Sequence, residues 1–527
     1  MKSRTCVRTL LVATLLTGGA EASAQDLEVR EVPLPIDSLL SSEVVIARVG
    51  PTVITVREFV LTSLFGPAFV KRAPDTRRRT LAYMINEKLL ALGVRGRDTR
   101  VAANLEALEG DMATEELYRD DILKKVHIRE SDIRTGVSLQ RTDVALRWVF
   151  RKSQAEAAEL ARELNEGGSF DALFTREVAD TAVRRDERTL NSNLFSIRLK
   201  NAPMAALAER LAVGRPSGPV EGPDGFYILQ VDSVSRRPLM TETEEIQSRS
   251  DAWRALTKLM ADSLSDVYIR RRMIEADPVI QRPVFDLLRG WLASREFAAE
   301  KFQTYGLPQN IEPVFDYHDI DRYAGKTLVA LRGGKIPLGE FLVWYRLREA
   351  NLRFRTESPK AFFLSIEDVV WRMVRDRLLV RTALKRGLQH RPSVVSEKRW
   401  WREKLLYQVA KDSIMRTIGW TDSTLHAYYD AHPRSFRDST GAVRPFDSVK
   451  DDVLREWYDL ELKKRTLHAL AALKRTYPVS IDEKALKNIP VDAENNPRAI
   501  DVYTVKKGGT FPHPAFPAID YSWQTWQ

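Results

Sequence analysis

The chain has 527 residues, 29% of them charged, and Lys plus Arg outnumber Asp plus Glu by 82 to 72, for a net charge of +10. That length suggests about two to four domains, and the single cysteine, Cys6, excludes a disulfide framework and a thiolate metal site. The histidines show no HxxxH or HExxH spacing, and neither a nucleotide-cradling glycine loop nor a GxSxG elbow occurs, so no metal, cofactor or serine nucleophile is expected.

At the N-terminus Lys2, Arg4 and Arg8 precede an apolar run from Thr9 to Leu16 and the small residues Ala22-Ser23-Ala24. This is the layout of a cleavable secretory signal over residues 1–24. No later run offers the ~18 uncharged apolar residues of a membrane span. An exported, periplasmic product is therefore expected. Its basic charge favours negatively charged polypeptides and transient contact with anionic head groups at a membrane surface, and an exported chain is not expected to meet nucleic acid.

Past the signal-like segment the first patterned stretch is IARVGPTVITVREF, Ile46 to Phe59. It reads as a strand, a tight turn at Gly50-Pro51, a second strand and the start of a helix. Met84 to Leu90, MINEKLL, then places Met84, Ile85 and Leu89 on the 3.6-residue period of a buried stripe. In Asp120 to Arg134 one helix ends and another begins at a polar cap, Ser131. From Asp143 to Val234 the texture changes: a strand at Val144 to Phe150, a helix in QAEAAELARELNEG, then FDALF, and the closing VGRPSGPVEGPDGFYILQV.

Beyond this stretch the opening blocks return in the same order. Val329 to Phe341, VALRGGKIPLGEF, matches the first hairpin with Ile336, Glu340 and Phe341 at the places of Ile54, Glu58 and Phe59. MVRDRLL, Met373 to Leu379, matches MINEKLL, and Lys411 to His426 matches Asp120 to Arg134 with a cap at Thr421. Both copies are expected to end alike, at Thr304–Leu307 and Thr476–Val479. Between Trp371 and Lys404 lies a basic helical run holding Arg372, Arg375, Arg377, Arg381, Lys385, Arg386, Lys398, Arg399, Arg402 and Lys404 beside Trp400 and Trp401. It reads either as a solvated face or as a basic, aromatic-edged cradle for unfolded chains. The last segment, rich in Pro and aromatics, reads as a loosely ordered extended tail, or as a placeholder that docks in a groove of the same chain.

The order of elements from Asp143 to Val234 resembles the parvulin rotamases, of the PpiC type. Together with the signal and the hairpin-plus-helix blocks, it resembles the SurA- and PrsA-like export chaperones from Val44 to about Ile489. The resemblance implies a mainly α protein with an α+β insert: two related helical chaperone frames, the first carrying an FKBP-like parvulin domain. The expected parts are the signal 1–24, first frame 25–142, insert 143–235, returning helices 236–313, a second frame without insert 314–490, and the tail 491–527. It further implies that Trp148 and Tyr227 stand where the rotamase histidines stand. The family's acid or cysteine falls on Asp180 or Thr181, and Asn201 and Ala205 replace the Met and Phe of the proline pocket, unless Met204 shifts in. Neither indole nor phenol offers a histidine's switchable donor and acceptor, so an inactive rotamase site is expected. The candidate substrate-binding residues are Trp148, Phe195, Met204, Phe226, Tyr227, Trp400 and Trp401. The implied function is that of a periplasmic folding chaperone working without ATP or any cofactor on unfolded or nascent exported polypeptides, outer-membrane proteins among them. An active peptidyl-prolyl isomerase with an altered site, and a non-catalytic subunit with one dedicated partner, are the alternatives.

Overall fold

The computed structural model describes residues 42–66, 75–96, 98–179, 185–222, 224–237, 240–298, 317–489 and 516–526, with 302, 305, 505, 506, 511, 513 and 514. The signal-like segment lies outside these residues, as do Asp180 and Thr181. Helices predominate, joined by small antiparallel sheets. The chain divides into two compact units: Tyr118–Arg270 form one, and the residues up to Leu117 and from Arg271 onward form the other.

The larger unit starts with strands β1 (Val45–Val49) and β2 (Thr52–Thr55). Between them Gly50 takes φ +53, and a Cβ there would stand 2.8 Å from the Tyr477 ring, so the turn needs glycine for both reasons. The Thr55 hydroxyl accepts the Glu58 N–H at 3.2 Å and so caps helix α1 (Val56–Phe65). Helix α2 (Thr76–Leu92) follows and buries Leu81, Met84, Ile85 and Leu89 as their spacing predicts. Helix α3 (Thr99–Asp121) leads out of this unit.

In the smaller unit come α4 (Glu130–Gln140), β3 (Thr142–Arg151), α5 (Gln154–Asn165), α6 (Phe170–Val178), β4 (Thr189–Asn193), α7 (Leu194–Lys200), α8 (Ala202–Arg210), β5 (Val220–Gly222) and β6 (Gly225–Arg236). The α4 helix begins at Glu130 without a side-chain cap, one residue before the expected Ser131. The strands form one antiparallel sheet in the order β4-β3-β6-β5. Helix α9 (Glu242–Ala276) carries the chain back to the larger unit.

There the elements are β7 (Val279–Ile280), α10 (Arg282–Glu296), β8 (Thr327–Leu331), β9 (Gly334–Pro337), α11 (Leu338–Arg346), α12 (Pro359–Lys385), α13 (Pro392–Arg416), α14 (Asp422–Ala431), α15 (Phe446–Thr476), β10 (Val479–Ile481), α16 (Glu483–Lys487), β11 (Val505–Lys506), β12 (His513–Pro514) and α17 (Ser522–Thr525). Thr421 caps α14 in a full capping box with Thr424, as expected.

The two hairpins repeat each other in register. Ala47 faces Ile54 and Val49 faces Thr52; Val329 faces Ile336 and Leu331 faces Gly334, with a register shift at the same place in each. Their third strands are exchanged. The β1–β2 hairpin is completed by β10, where Ile481 faces Ala47 and the Asp482 N–H donates to Ile46 O at 2.9 Å. The β8–β9 hairpin is completed by β7, where Ile280 faces Val329 and the Gln281 N–H donates to Leu328 O at 2.8 Å. Each strand that returns from a long helix thus joins the other copy's hairpin. Asp277-Pro278-Val279-Ile280 here does what Tyr477-Pro478-Val479-Ser480-Ile481 does in the other sheet: a proline stops the long helix and β-branched residues then pair as a strand; the ending expected at Thr304–Leu307 lies, but for Tyr305, outside the described residues.

An ion pair repeats as well. Lys88 lies 3.2 Å from Glu58 and also pairs with Glu403; Arg377, at the place of Lys88, pairs with Glu340, at the place of Glu58. Part of the basic run, with the neighbouring Arg391, is consumed in this way. Arg391 reaches Glu116 at 2.6 Å, Lys398 reaches Glu109 at 2.6 Å, Arg399 reaches Glu58 at 2.9 Å and Lys404 reaches Glu87 at 2.8 Å. These cations bind acidic residues of the first copy, whereas Arg381, Lys385, Arg386 and Arg402 are exposed and make part of the run a solvated face.

Candidate functional site

Antiparallel pairing puts opposite residues on one face of a sheet. In the smaller unit Leu146 faces Val231, Trp148 faces Leu229 and Phe150 faces Tyr227. These six residues share a face. Its inner part is core: Leu146, Leu229 and Val231 are buried with Leu194, Ile197, Ala205 and Ala208. Toward the end of the sheet the residues become aromatic and half-buried, and Trp148, Phe150 and Tyr227 form its rim. Trp148 and Tyr227 thus share a face, with Phe150 as the direct partner of Tyr227.

The rim is tightly closed. The Phe150 and Tyr227 rings meet at 5.2 Å with a 58° tilt. Tyr227 lies on the backbone of Gly222, where a Cβ would come within 2.4 Å of its ring, and Phe150 lies on Gly225, where the distance would be 2.8 Å. The Arg188 guanidinium stands 5.3 Å from the Phe150 ring centroid, in cation–π range. Among the described residues no imidazole lines the rim, and Tyr227 and Trp148 bring one phenol and one indole N–H to it.

Three candidates are placed otherwise than expected. Phe195 is buried and wedged between α4 and α9: a Cβ on Gly136 would lie 3.0 Å from both its ring and Ala252. Met204 is buried in the same core, and Asn201 caps α8 by accepting the Met204 N–H at 3.0 Å, which uses the position in the fold rather than in a pocket. Phe226 faces Arg151 and therefore belongs to the opposite side of the sheet. That side is filled by Val149 and Ile228 against Leu160, Leu164, Phe170 and Phe174. Arg147 is held there by Asp232 at 2.6 Å and Asp171 at 2.7 Å, over the Phe174 ring at 5.1 Å. Its hydrogen bonds to the Asp232 carboxylate raise the guanidinium further above its ordinary range, against the opposing effect of burial. Phe150 and Arg188 were missed by residue-level reading, although Phe150 stands two residues from Trp148 and must share its face.

Trp400 and Trp401 lie in the larger unit and are also buried. They are covered by described residues of the C-terminal segment, Phe516 and His513 among them, which pack against the helices. Trp400 stacks on Phe516 at 6.1 Å, and Trp401 meets His513 edge-on at 5.4 Å. His513 Nε2 lies 3.0 Å from Asp111 Oδ2, and the Phe511 N–H donates to Asp111 Oδ1 at 3.0 Å. Farther along, Trp523 is buried between Tyr83 and Tyr407.

No family model and no curated protein sequence matches the chain. Among solved structures it is similar to the peptidylprolyl isomerase PrsA of Bacillus anthracis, at 15% identity and a TM-score of 0.22, over 36% of this chain and 96% of that one. It is similar to PrsA of Bacillus cereus at 20% identity and 0.22, over 41% and 88%. The likeness to PrsA of Bacillus subtilis is 14% identity and 0.16, over 43% and 93%. These are distant likenesses, each to less than half of the chain.

Proposed function

We propose that this chain is a periplasmic folding factor that holds unfolded exported polypeptides, outer-membrane proteins among them, without nucleotide, and that its parvulin-like insert binds without isomerising. The observation that carries the reading is the rim of the insert. A four-stranded antiparallel sheet presents Trp148 and Tyr227 where the resemblance implies histidines, and Phe150 joins them to make an aromatic edge. Rotation about an X-Pro bond faces a barrier of about 18–20 kcal/mol set by amide resonance. A catalyst must weaken that resonance through polar groups, and the rim supplies few. Aromatic rings at a half-exposed edge instead offer contact area at low entropic cost, which suits capture of unfolded segments.

The test is a prolyl isomerisation assay on the mature chain and on Trp148→His/Tyr227→His, run beside suppression of aggregation of an unfolded outer-membrane protein. Silence in the first assay with slowed aggregation in the second is the expected result. Catalysis by the unmodified chain would replace this reading with that of an isomerase whose site is altered. Inactivity in both, with a single stoichiometric partner recovered, would make it a dedicated structural subunit.

A further inference from the structure

The repeat exposes a difference between its two copies. In the second copy, the indole N–H of Trp344 on α11 donates to Asp376 at 3.2 Å. In the first copy, Glu87 stands at the place of Asp376, but the place of Trp344 is taken by the small Thr62. The indole that reaches Glu87 comes from the far end of the chain: Trp523 donates to Glu87 Oε1 at 3.2 Å. The same carboxylate accepts the main-chain N–H of Asp520 at 2.9 Å and is paired with Lys404.

The rest of the segment is read as a ligand would be. The Asp520 carboxylate receives the Tyr407 hydroxyl at 2.8 Å and Lys411 Nζ at 2.7 Å. Phe516 lies on Trp400. Two main-chain N–H groups, of Phe511 and Asp520, are taken by the carboxylates Asp111 and Glu87. Recognition of backbone N–H by fixed carboxylates is independent of side chain, and so fits any extended polypeptide. A partly open pocket of about 20 Å³ lies beside Pro517 and Ile519, bounded by Thr62, Met84 and Lys88, which is room for about one water.

We propose that the groove formed by α2, α13 and Thr62 is a receptor for a polypeptide carrying an acidic residue three positions before a tryptophan, the two joined by a helical turn as Asp520 and Trp523 are, and that the C-terminal segment is its resident occupant, displaced by clients. This deepens the folding-factor reading and rests on it. A tethered occupant competes at an effective concentration near millimolar, so only clients presented in quantity, or bound at the insert as well, open the groove.

The test uses the full chain with a specific protease site placed within residues 491–500, so that cutting leaves the segment held by contacts alone. A labelled peptide of residues 509–527 is added in excess, with Trp523→Ala and Asp520→Asn peptides as controls. Exchange of the parent peptide, at least about tenfold weaker binding of either control, and about tenfold tighter capture of an unfolded polypeptide once the segment is removed are expected. A segment that never exchanges, or exchange without any change in capture, overturns the proposal. So does unfolding on removal of the segment, which would make it a part of the core. Aggregation suppression by the uncut chain is read separately, and its loss sinks the folding-factor reading instead.

Discussion

Lys88 shows how much one side chain can decide. It sits on α2 with 5% of its side chain exposed, between Glu58 at 2% and Glu403 at 12%. Lys88→Met leaves Glu403 without its cation and Glu58 with Arg399 alone, and breaking such a buried arrangement costs about 3–5 kcal/mol. The equivalent pair of the second copy is more open, with Arg377 at 39% and Glu340 at 30%. Arg377→Met should cost about 1 kcal/mol or less. Urea unfolding of both variants tests this asymmetry; equal losses would mean that burial does not set the strength of the pair. The sequence displayed both pairs, as the glutamate before phenylalanine and the cation before Leu-Leu. It did not display their burial, because Glu403 and Arg399 reach the site from a helix more than three hundred positions away.

At the scale of elements, the docked C-terminal segment should respond to acid. Burial raises the Asp520 carboxyl, but hydrogen bonds from Lys411 and from the Ser522 backbone and hydroxyl outweigh it and hold the group at about 2. An unperturbed aspartate titrates near 3.9. A depressed carboxylate contributes stability that is present above the unfolded value and is lost as pH falls through the folded one. Docking should therefore weaken between about pH 4 and 2. Hydrogen exchange of the segment's amides, compared with Asp520→Asn at each pH, checks this. A parent chain that tracks the variant across the range would show that the Asp520 contacts do not hold the segment. The composition of this segment, prolines and aromatics without periodicity, reads as an unstructured tail. Only its partners say otherwise, and they are carboxylates and rings fixed by α2, α3 and α13.

For the whole molecule, reciprocal strand exchange has a direct consequence. Neither hairpin is complete without the other half, and α2 packs its core residues against Tyr407 and Leu470 of the second copy. Chains 25–310 and 311–527 expressed together should associate into a one-to-one complex, whereas each alone should aggregate or be degraded. Size-exclusion chromatography of the co-expressed pair tests it, and two separately stable halves would contradict the exchange. The sequence by itself determined the local pieces: two like hairpins, their helices in the same register, and an insert whose alternating Leu146, Trp148 and Phe150 share one sheet face. Hydrophobic period and turn chemistry act within a few residues, so they are legible in one dimension. Which strand completes which hairpin was decided by the tertiary structure. The two hairpin edges present the same main-chain hydrogen bonds, and Val-Ile and Val-Ser-Ile suit either edge. The same holds for Glu87, whose tryptophan partner comes from the end of the chain because the position that supplies it in the other copy is a threonine.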